Sequence, residues 1–430
     1  MKKLISLLLC LLMVFGMVAC SEETAQVEET VQTEEKPYAG QELNVWTAYV
    51  DATPTAEAAN EYIAKFEEKT GAKINVTHYG RDLPQILPAA LTAGEEVDVF
   101  CFGSTLDLNS YFEYTMDLTD YINNSDYLDR AYPVQMDQIR LVSENDDEWH
   151  AIPTLSSVGA YWYNKALFEQ AGVENVPANP TIEEFEAICD QLVEAGLYPM
   201  ALDSAYAGPT FGIFCGRMVG EEAAKDMVFN GGFAENERFV ALCQKIIDWK
   251  AKGYFEPNAP AEFPASQNRM GLIGDVAMVG CGMWVSGEVE SMTGTQMEWG
   301  AFNYPYDPTC EDGTTGGSIS CTCNCINANI DPEKADLAWE YMYYMSTGEA
   351  DKAITDADNY VVNDRTQEPL PRFVGVKDIL STITEQVDYA GGLHSNADIK
   401  VSIDEVIVRL YAGEFETGEE AAAAFEALLD

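Results

Sequence analysis

The sequence predicts an α/β protein built from more than one sheet-and-helix layer, and three observations carry that reading. LNVWTAYV, AEAANEYIAKFEEKTG and KINVTHY succeed one another as strand, helix and strand, a crossover long enough to make the strands parallel. The scheme starts again after Pro153 with SSVGAYWYNK and the helix TIEEFEAICDQLVEAG. The chain of 430 residues is long enough for two or three domains at ~150 residues each.

The elements follow in order. MKKLISLLLCLLMVFGMVAC has two lysines, an apolar run and a small residue before Cys20, so residues 1–19 read as a secretory signal peptide too short to span a bilayer. Met17 to Cys20 resembles a bacterial lipobox, which implies cleavage before Cys20 and a lipid on its thiol. Residues 20–40 are acidic and aperiodic, the composition of a disordered tether. In the first helix Ala59, Tyr62, Ile63 and Phe66 share a face, and Gly71 marks its stop. LPQILPAALTAG reads as a short helix, and VDVFCFG as a third strand, buried by its continuous apolarity.

Beyond Pro153, SSVGAYWYNK reads as one strand, and Thr181 with Glu184 forms a capping box. NERFVALCQKIIDWKAKGY is an amphipathic helix, GDVAMVG a strand of a second sheet, and GGSISCTCNCINAN a further strand. DPEKADLAWEYMYYMSTG is a helix turning Leu337, Tyr341, Tyr344 and Met345 inward, and Thr417 with Glu420 predicts a second capping box.

Composition excludes several functions. A net charge of −48 repels phosphate backbones, so nucleic-acid binding is not expected. His78, His150 and His394 lie far apart, and His150, after the acidic turn SENDDEW, reads as solvent-exposed. No nucleophile elbow, phosphate loop or dinucleotide fingerprint is present, so neither an enzyme nor a cofactor is expected. Of eleven cysteines, Cys10 leaves with the signal and Cys20 takes lipid. The odd number remaining in an exported chain points to unpaired thiols and an anaerobic source. Cys321, Cys323 and Cys325 alternate along a strand at ~7 Å spacing, which reads as small buried residues rather than a zinc site. The turn NDDE lacks the alternating ligands of a calcium loop, and no metal is expected.

GLIGDVAMVGCGMW, residues 271–284, is the most glycine-rich apolar stretch. It lacks the lysine and following helix of a phosphate loop, so its middle reads as a strand buried on both faces. Gly280 and Gly282 then let the chain leave the sheet without a side chain in the way, and Trp284 stands just beyond the strand's end.

Taken in order, the lipobox, LNVWTAYV, FEEKTGAKINV, LTAGEEVDVF, HAIPTLSSVGAYWYNKALFEQAGV, NPTIEEF and GDVAMVGCGMW resemble the extracellular solute-binding proteins of bacterial ABC importers, the maltose-type sugar-binding lipoproteins (family 1). Val276 stands where the last block usually has alanine. The resemblance covers nearly all of residues 41–430. It implies a type II periplasmic-binding-protein fold of two hinge-linked lobes, each a sheet flanked by helices. Lobe 1 would take 41–155 and about 317–355, lobe 2 156–304 and about 356–430, with a hinge crossing at 305–316. It implies a monomer on the outer face of the membrane of a Gram-positive cell, delivering a mono- or oligosaccharide to two permease subunits and a cytoplasmic ATPase.

Ligands of such folds bind beyond the carboxyl ends of strands and between lobes. The residues there are Tyr49 after the first strand, Phe102, Ser104 and Thr105 after VDVF, Ser157 at the hinge, and Asp203 and Tyr206 in ALDSAYAG. The resemblance assigns Trp284 the sugar-stacking role, and adds Arg372 and His394 on lobe 2 loops. Sugars need aromatic platforms and short polar partners, which this set supplies. Two rivals stay open: the same fold holding a cationic solute such as a polyamine between Asp51 and Asp203, and a surface enzyme or adhesin.

Overall fold

A computed structural model describes residues 36–102, 108–141, 148–310, 315–357 and 359–429. Residues 37–430 form one compact unit, and two sheets organise it.

The first sheet has the order β2-β1-β3-β10-β4, formed by β1 (Glu42–Thr47), β2 (Lys73–His78), β3 (Val99–Phe102), β4 (Ile152–Val158) and β10 (Ile319–Ile326). β1 pairs in parallel with β2 and β3, whereas β10 runs antiparallel to β3 and β4. β1 alternates, with Leu43, Val45 and Thr47 turned inward, as a strand with one helix-covered face must. The helix Pro54–Thr70 supplies that cover. Thr53 caps its start, Gly71 ends it at φ 79°, and Ala59, Ile63 and Phe66 are buried while Tyr62 is half-buried. The helix Ala335–Met345 buries Leu337, Tyr341 and Met345 in the same core and leaves Tyr344 half-buried.

The second sheet has the order β6-β7-β5-β8, with β5 (Ala160–Asn164), β6 (Tyr198–Ala201), β7 (Val276–Cys281) and β8 (Trp299–Phe302). Every residue of β7 is buried, as its unbroken apolarity predicts for a strand covered on both faces. One face packs on an aromatic core that includes Phe185, Phe214, Trp249 and Tyr304. The other packs Trp162 and Val279 against Phe373 and Ile379.

SSVGAYWYNK is not one strand. β4 ends at Val158, Gly159 intervenes, and β5 begins at Ala160 in the other sheet, so one residue separates the two layers. The chain passes between the sheets again from β8 to β10, over a stretch that holds β9 (Gly316–Gly317), paired in parallel with β11 (Glu385–Gln386). It passes once more beyond the helix Gly348–Asp356, where Val361 bridges to Ser156. Tyr132, Val134, Val158, Ile319 and Val361 join the Trp162 cluster, so these crossings sit on continuous apolar packing.

The Thr181 capping box is complete in both directions. At Thr417 only half of one forms: its hydroxyl accepts from the Glu420 amide, while the Glu420 carboxylate accepts from the Glu416 amide. His150 is buried, against the expectation of exposure, because its ring packs on Phe112 and hydrogen-bonds to Thr115. None of the nine described cysteines forms a disulfide and all are buried, behaving as small apolar residues. Cys20 lies outside the described residues. Among those described, no helix is long and apolar enough to cross a membrane.

Candidate ligand-binding cleft

Where the two sheets meet, a cavity of about 420 Å³ opens, within the range of small-molecule sites. Ser157 near the end of β4 and Ser320 at the start of β10 form the wall from the first sheet. Gly280 and Cys281, at the carboxyl end of β7, and Trp284 form the wall from the second. The helix Ser204–Cys215 adds Tyr206 and Thr210, and the segment after β11 adds Asp388 and Tyr389. A second cavity of about 350 Å³ shares Ser157, Trp284 and Ser320 with the first and continues along Thr322, Asn359 and Tyr360. Trp284 therefore stands between two compartments of one cleft, with 46 % of its surface exposed.

The backbone of GCGMW builds that position. Trp284 immediately precedes the helix Val285–Thr293, and its indole lies directly over Gly282, where a Cβ would come within 2.2 Å of the ring. A Cβ on Gly280 would come within 2.6 Å of the Tyr304 hydroxyl. Both glycines admit an aromatic ring against the backbone, a more specific task than letting the chain leave the sheet. The Trp284 Nε1–H donates to the Tyr206 hydroxyl at 3.3 Å, and the Tyr206 ring meets Phe263 edge-on at 5.6 Å. Burial raises the Tyr206 phenol above its ordinary range and pushes the Cys281 thiol up to about 12, so both stay protonated at neutral pH.

Ser157, Tyr206 and Trp284 are thus brought together, and the other expected site residues are placed elsewhere or lie outside the described residues. Tyr49 is buried, its hydroxyl 3.4 Å from that of Thr154 and its ring 5.7 Å from His78. Asp203 does not face the cleft. ALDSAYAG is not a loop, because Ser204–Cys215 is a helix, and the Asp203 carboxylate accepts from the amides of Ser266 and Gln267 at 2.8 and 3.0 Å. It is fully buried as a cap on the helix Ala265–Leu272, and desolvation raises its pKa.

Arg372 reaches Glu290 at 3.6 Å and lines a separate groove with Lys165 and Trp299. His394 lies behind the cleft wall, bound to Asp404 at 2.9 Å and to the Tyr389 hydroxyl at 3.2 Å. Phe102 belongs to β3, and its side chain, like all of Ser104 and Thr105, lies outside the described residues. Asp51 is exposed and lines neither compartment.

Tyr304, Ser320, Asp388 and Tyr389 were missed by the sequence reading. Tyr304 follows a strand end, the rule that singled out Tyr49, and that signal could have found it. Asp388 and Tyr389 follow a two-residue strand that no periodicity marks. Asp388 is the one charged side chain in the larger compartment's lining among the described residues, its Oδ1 accepting from the Ala390 amide at 2.9 Å.

Two α/β layers joined by short chain crossings, with a cavity of small-molecule size where they meet, are the architecture of a solute-binding protein. Residues 61–365 match the bacterial extracellular solute-binding protein family, and the chain belongs to that family. A comparison with curated protein sequences finds no match. Among solved structures, a probable secreted solute-binding lipoprotein from Streptomyces coelicolor superposes with a TM-score of 0.67 at 16% identity, covering 90% of this chain and 98% of that one. The cyclic alpha-maltosyl-1,6-maltose binding protein from Arthrobacter globiformis gives 0.61 at 16% identity, covering 90% and 97%. A chitin oligosaccharide binding protein gives 0.57 at 18%, covering 90% and 98%. At these identities the likeness is one of fold, and the fold is the type II arrangement of solute-binding proteins that the resemblance implied.

Proposed function

We propose that the protein captures a mono- or oligosaccharide in this cleft and presents it to two permease subunits and an ATPase of an ABC importer, held at the cell surface by a lipid on Cys20. One observation carries the ligand class. Trp284 presents a half-exposed ring between two compartments, with Tyr206, Tyr304 and Tyr389 nearby and Ser157, Thr210 and Ser320 supplying hydroxyls. Aromatic faces complement the C–H faces of sugar rings, and paired hydroxyls satisfy those a sugar would otherwise bury. The solved relatives named for maltosyl and chitin oligosaccharides support the same reading.

The mechanism needs no covalent step. Serines on β4 and β10 belong to one sheet, and Trp284 and Tyr206 to the other layer. A ligand touching both would stabilise the closed arrangement over the open one by its extra contacts. The cationic-solute reading loses its pair, since Asp51 and Asp203 do not meet in the cleft, but keeps one carboxylate in Asp388. A thermal-shift screen against neutral sugars and polyamines decides between them. A melting rise with a sugar and none with polyamines supports the proposal; the reverse overturns it.

A further inference from the structure

We infer that Asp117, Glu148 and His150 form a site for one divalent transition-metal cation of the zinc type, on the first sheet's layer and apart from the cleft. One ligand atom from each lies within 4.8 Å of the other two. Sequence spacing does not mark this set, because the three residues reach each other only when the segments holding Asp117 and Glu148 are hydrogen-bonded together. The Leu118 amide donates to the Trp149 carbonyl at 2.7 Å, and the Trp149 amide donates to the Thr119 hydroxyl at 3.0 Å.

The independent observation is the orientation of the His150 ring. Its Nδ1 lies 3.0 Å from the Thr115 carbonyl oxygen and 3.0 Å from the Thr115 hydroxyl oxygen. That hydroxyl already donates its proton to the Phe112 carbonyl at 2.8 Å, so both neighbours of Nδ1 are acceptors and Nδ1 must carry the hydrogen. The ring then presents Nε2 to the Glu148 carboxylate, 3.1 Å away. The ring cannot turn aside, because it is 6 % exposed and packed 4.2 Å from Phe112. The 3.1 Å between Nε2 and the carboxylate oxygen suits two ligand atoms of one tetrahedral ion, each ~2.0–2.2 Å from it. Donation of the far ring nitrogen to a backbone carbonyl is also how metal-bound histidines are oriented.

The donor set selects the ion. An imidazole nitrogen with two carboxylates suits zinc-type ions and is a poor match to calcium or magnesium, which take oxygen ligands throughout. Two carboxylates and a neutral imidazole balance a 2+ charge, and the strongly acidic chain raises the local cation concentration. Asp117 is already oriented, its Oδ1 accepting from the Thr119 amide at 2.8 Å. A bound ion would clasp the segment around Asp117 to the one that runs from Glu148 into β4.

The test is calorimetric titration of chelator-treated protein with zinc chloride, without any sugar present. The expected result is one equivalent bound, with affinity reduced about tenfold or more in Asp117→Asn and in His150→Gln, and no comparable binding of calcium. Asp117 is exposed, so Asp117→Asn keeps the fold even where His150→Gln does not. Absence of zinc uptake by the unaltered protein overturns the proposal. So does zinc uptake that Asp117→Asn and Glu148→Gln leave unchanged, which would be adventitious binding to the acidic surface.

Discussion

Replacing Trp284 with alanine separates a ligand platform from a core residue, and the structure sets the size of the effect. The side chain is 46 % exposed, so of the ~250 Å² that a tryptophan can bury, about 115 Å² is left for a ligand to cover. At about 25 cal/mol per Å² that is at most about 3 kcal/mol. A sugar stacked on one face would cover about half, so the expected loss lies between roughly tenfold and a hundredfold in Kd. The fold should tolerate the change, since the ring's specific contacts are the Gly282 backbone and one hydrogen bond to Tyr206 at 3.3 Å. The assay is calorimetric titration with the sugar found by thermal-shift screening, beside the melting temperature of the free variant. An unchanged Kd with that sugar would refute the platform role, and a large fall in melting temperature would mean that the ring is a core element.

Three further outcomes follow from particular contacts. Gly282→Ala puts a methyl where the indole lies and should displace the ring, weakening sugar binding in the same direction as Trp284→Ala while leaving every cleft aromatic in the chain; unaltered affinity would show that the ring's seat does not matter. Asp203→Asn replaces a carboxylate that accepts two amide hydrogens at a helix start, so it should lower stability by about 1–2 kcal/mol in urea denaturation and leave Kd unchanged. Asp351, fully buried beneath the β4 crossing, accepts from Asn363 at 2.7 Å and from the Asp364 amide at 2.8 Å, and burial pushes its carboxyl from 3.8 up to about 8. Between those values the folded chain keeps a proton that the unfolded chain has lost. Stability should therefore fall as pH rises from about 4 to 8, by at most about 1.4 kcal/mol per pH unit. Asp351→Asn, which mimics the protonated acid, should flatten that slope, and an unchanged profile in urea denaturation at several pH values would sink the assignment.

The α/β class, the helix Pro54–Thr70 with its Gly71 stop, the Thr181 capping box and the fully buried β7 were legible because each rests on local periodicity and end chemistry. The break of SSVGAYWYNK at Gly159 was not, because both halves have the same β-forming composition and only their partners differ. The helix Ser204–Cys215 was hidden for the opposite reason: Gly208, Pro209 and Gly212 argue against a helix locally, and burial on nearly all sides stabilises it regardless. At the cleft, Trp284, Tyr206 and Ser157 could be named from strand ends, the expected hinge and the resemblance. Asp203 looked equally available until its carboxylate was seen to cap a helix that begins sixty residues later in the chain.

By itself, then, the sequence determined which stretches pair as strands, where helices start and stop, and which family the chain resembles. These are properties set within a few residues by side-chain period, caps and glycine stops. Only the tertiary structure decided which polar groups face the cleft and which satisfy buried backbone, because that depends on neighbours distant in the chain. Asp203 and Asp388 are the same residue type near strand ends, yet one is closed off by the amides of Ser266 and Gln267 while the other lines the cavity beside Tyr389. Similarly, nothing local marks His150, whose exposed-looking acidic surroundings gave way to a ring locked by Thr115 and aimed at Glu148.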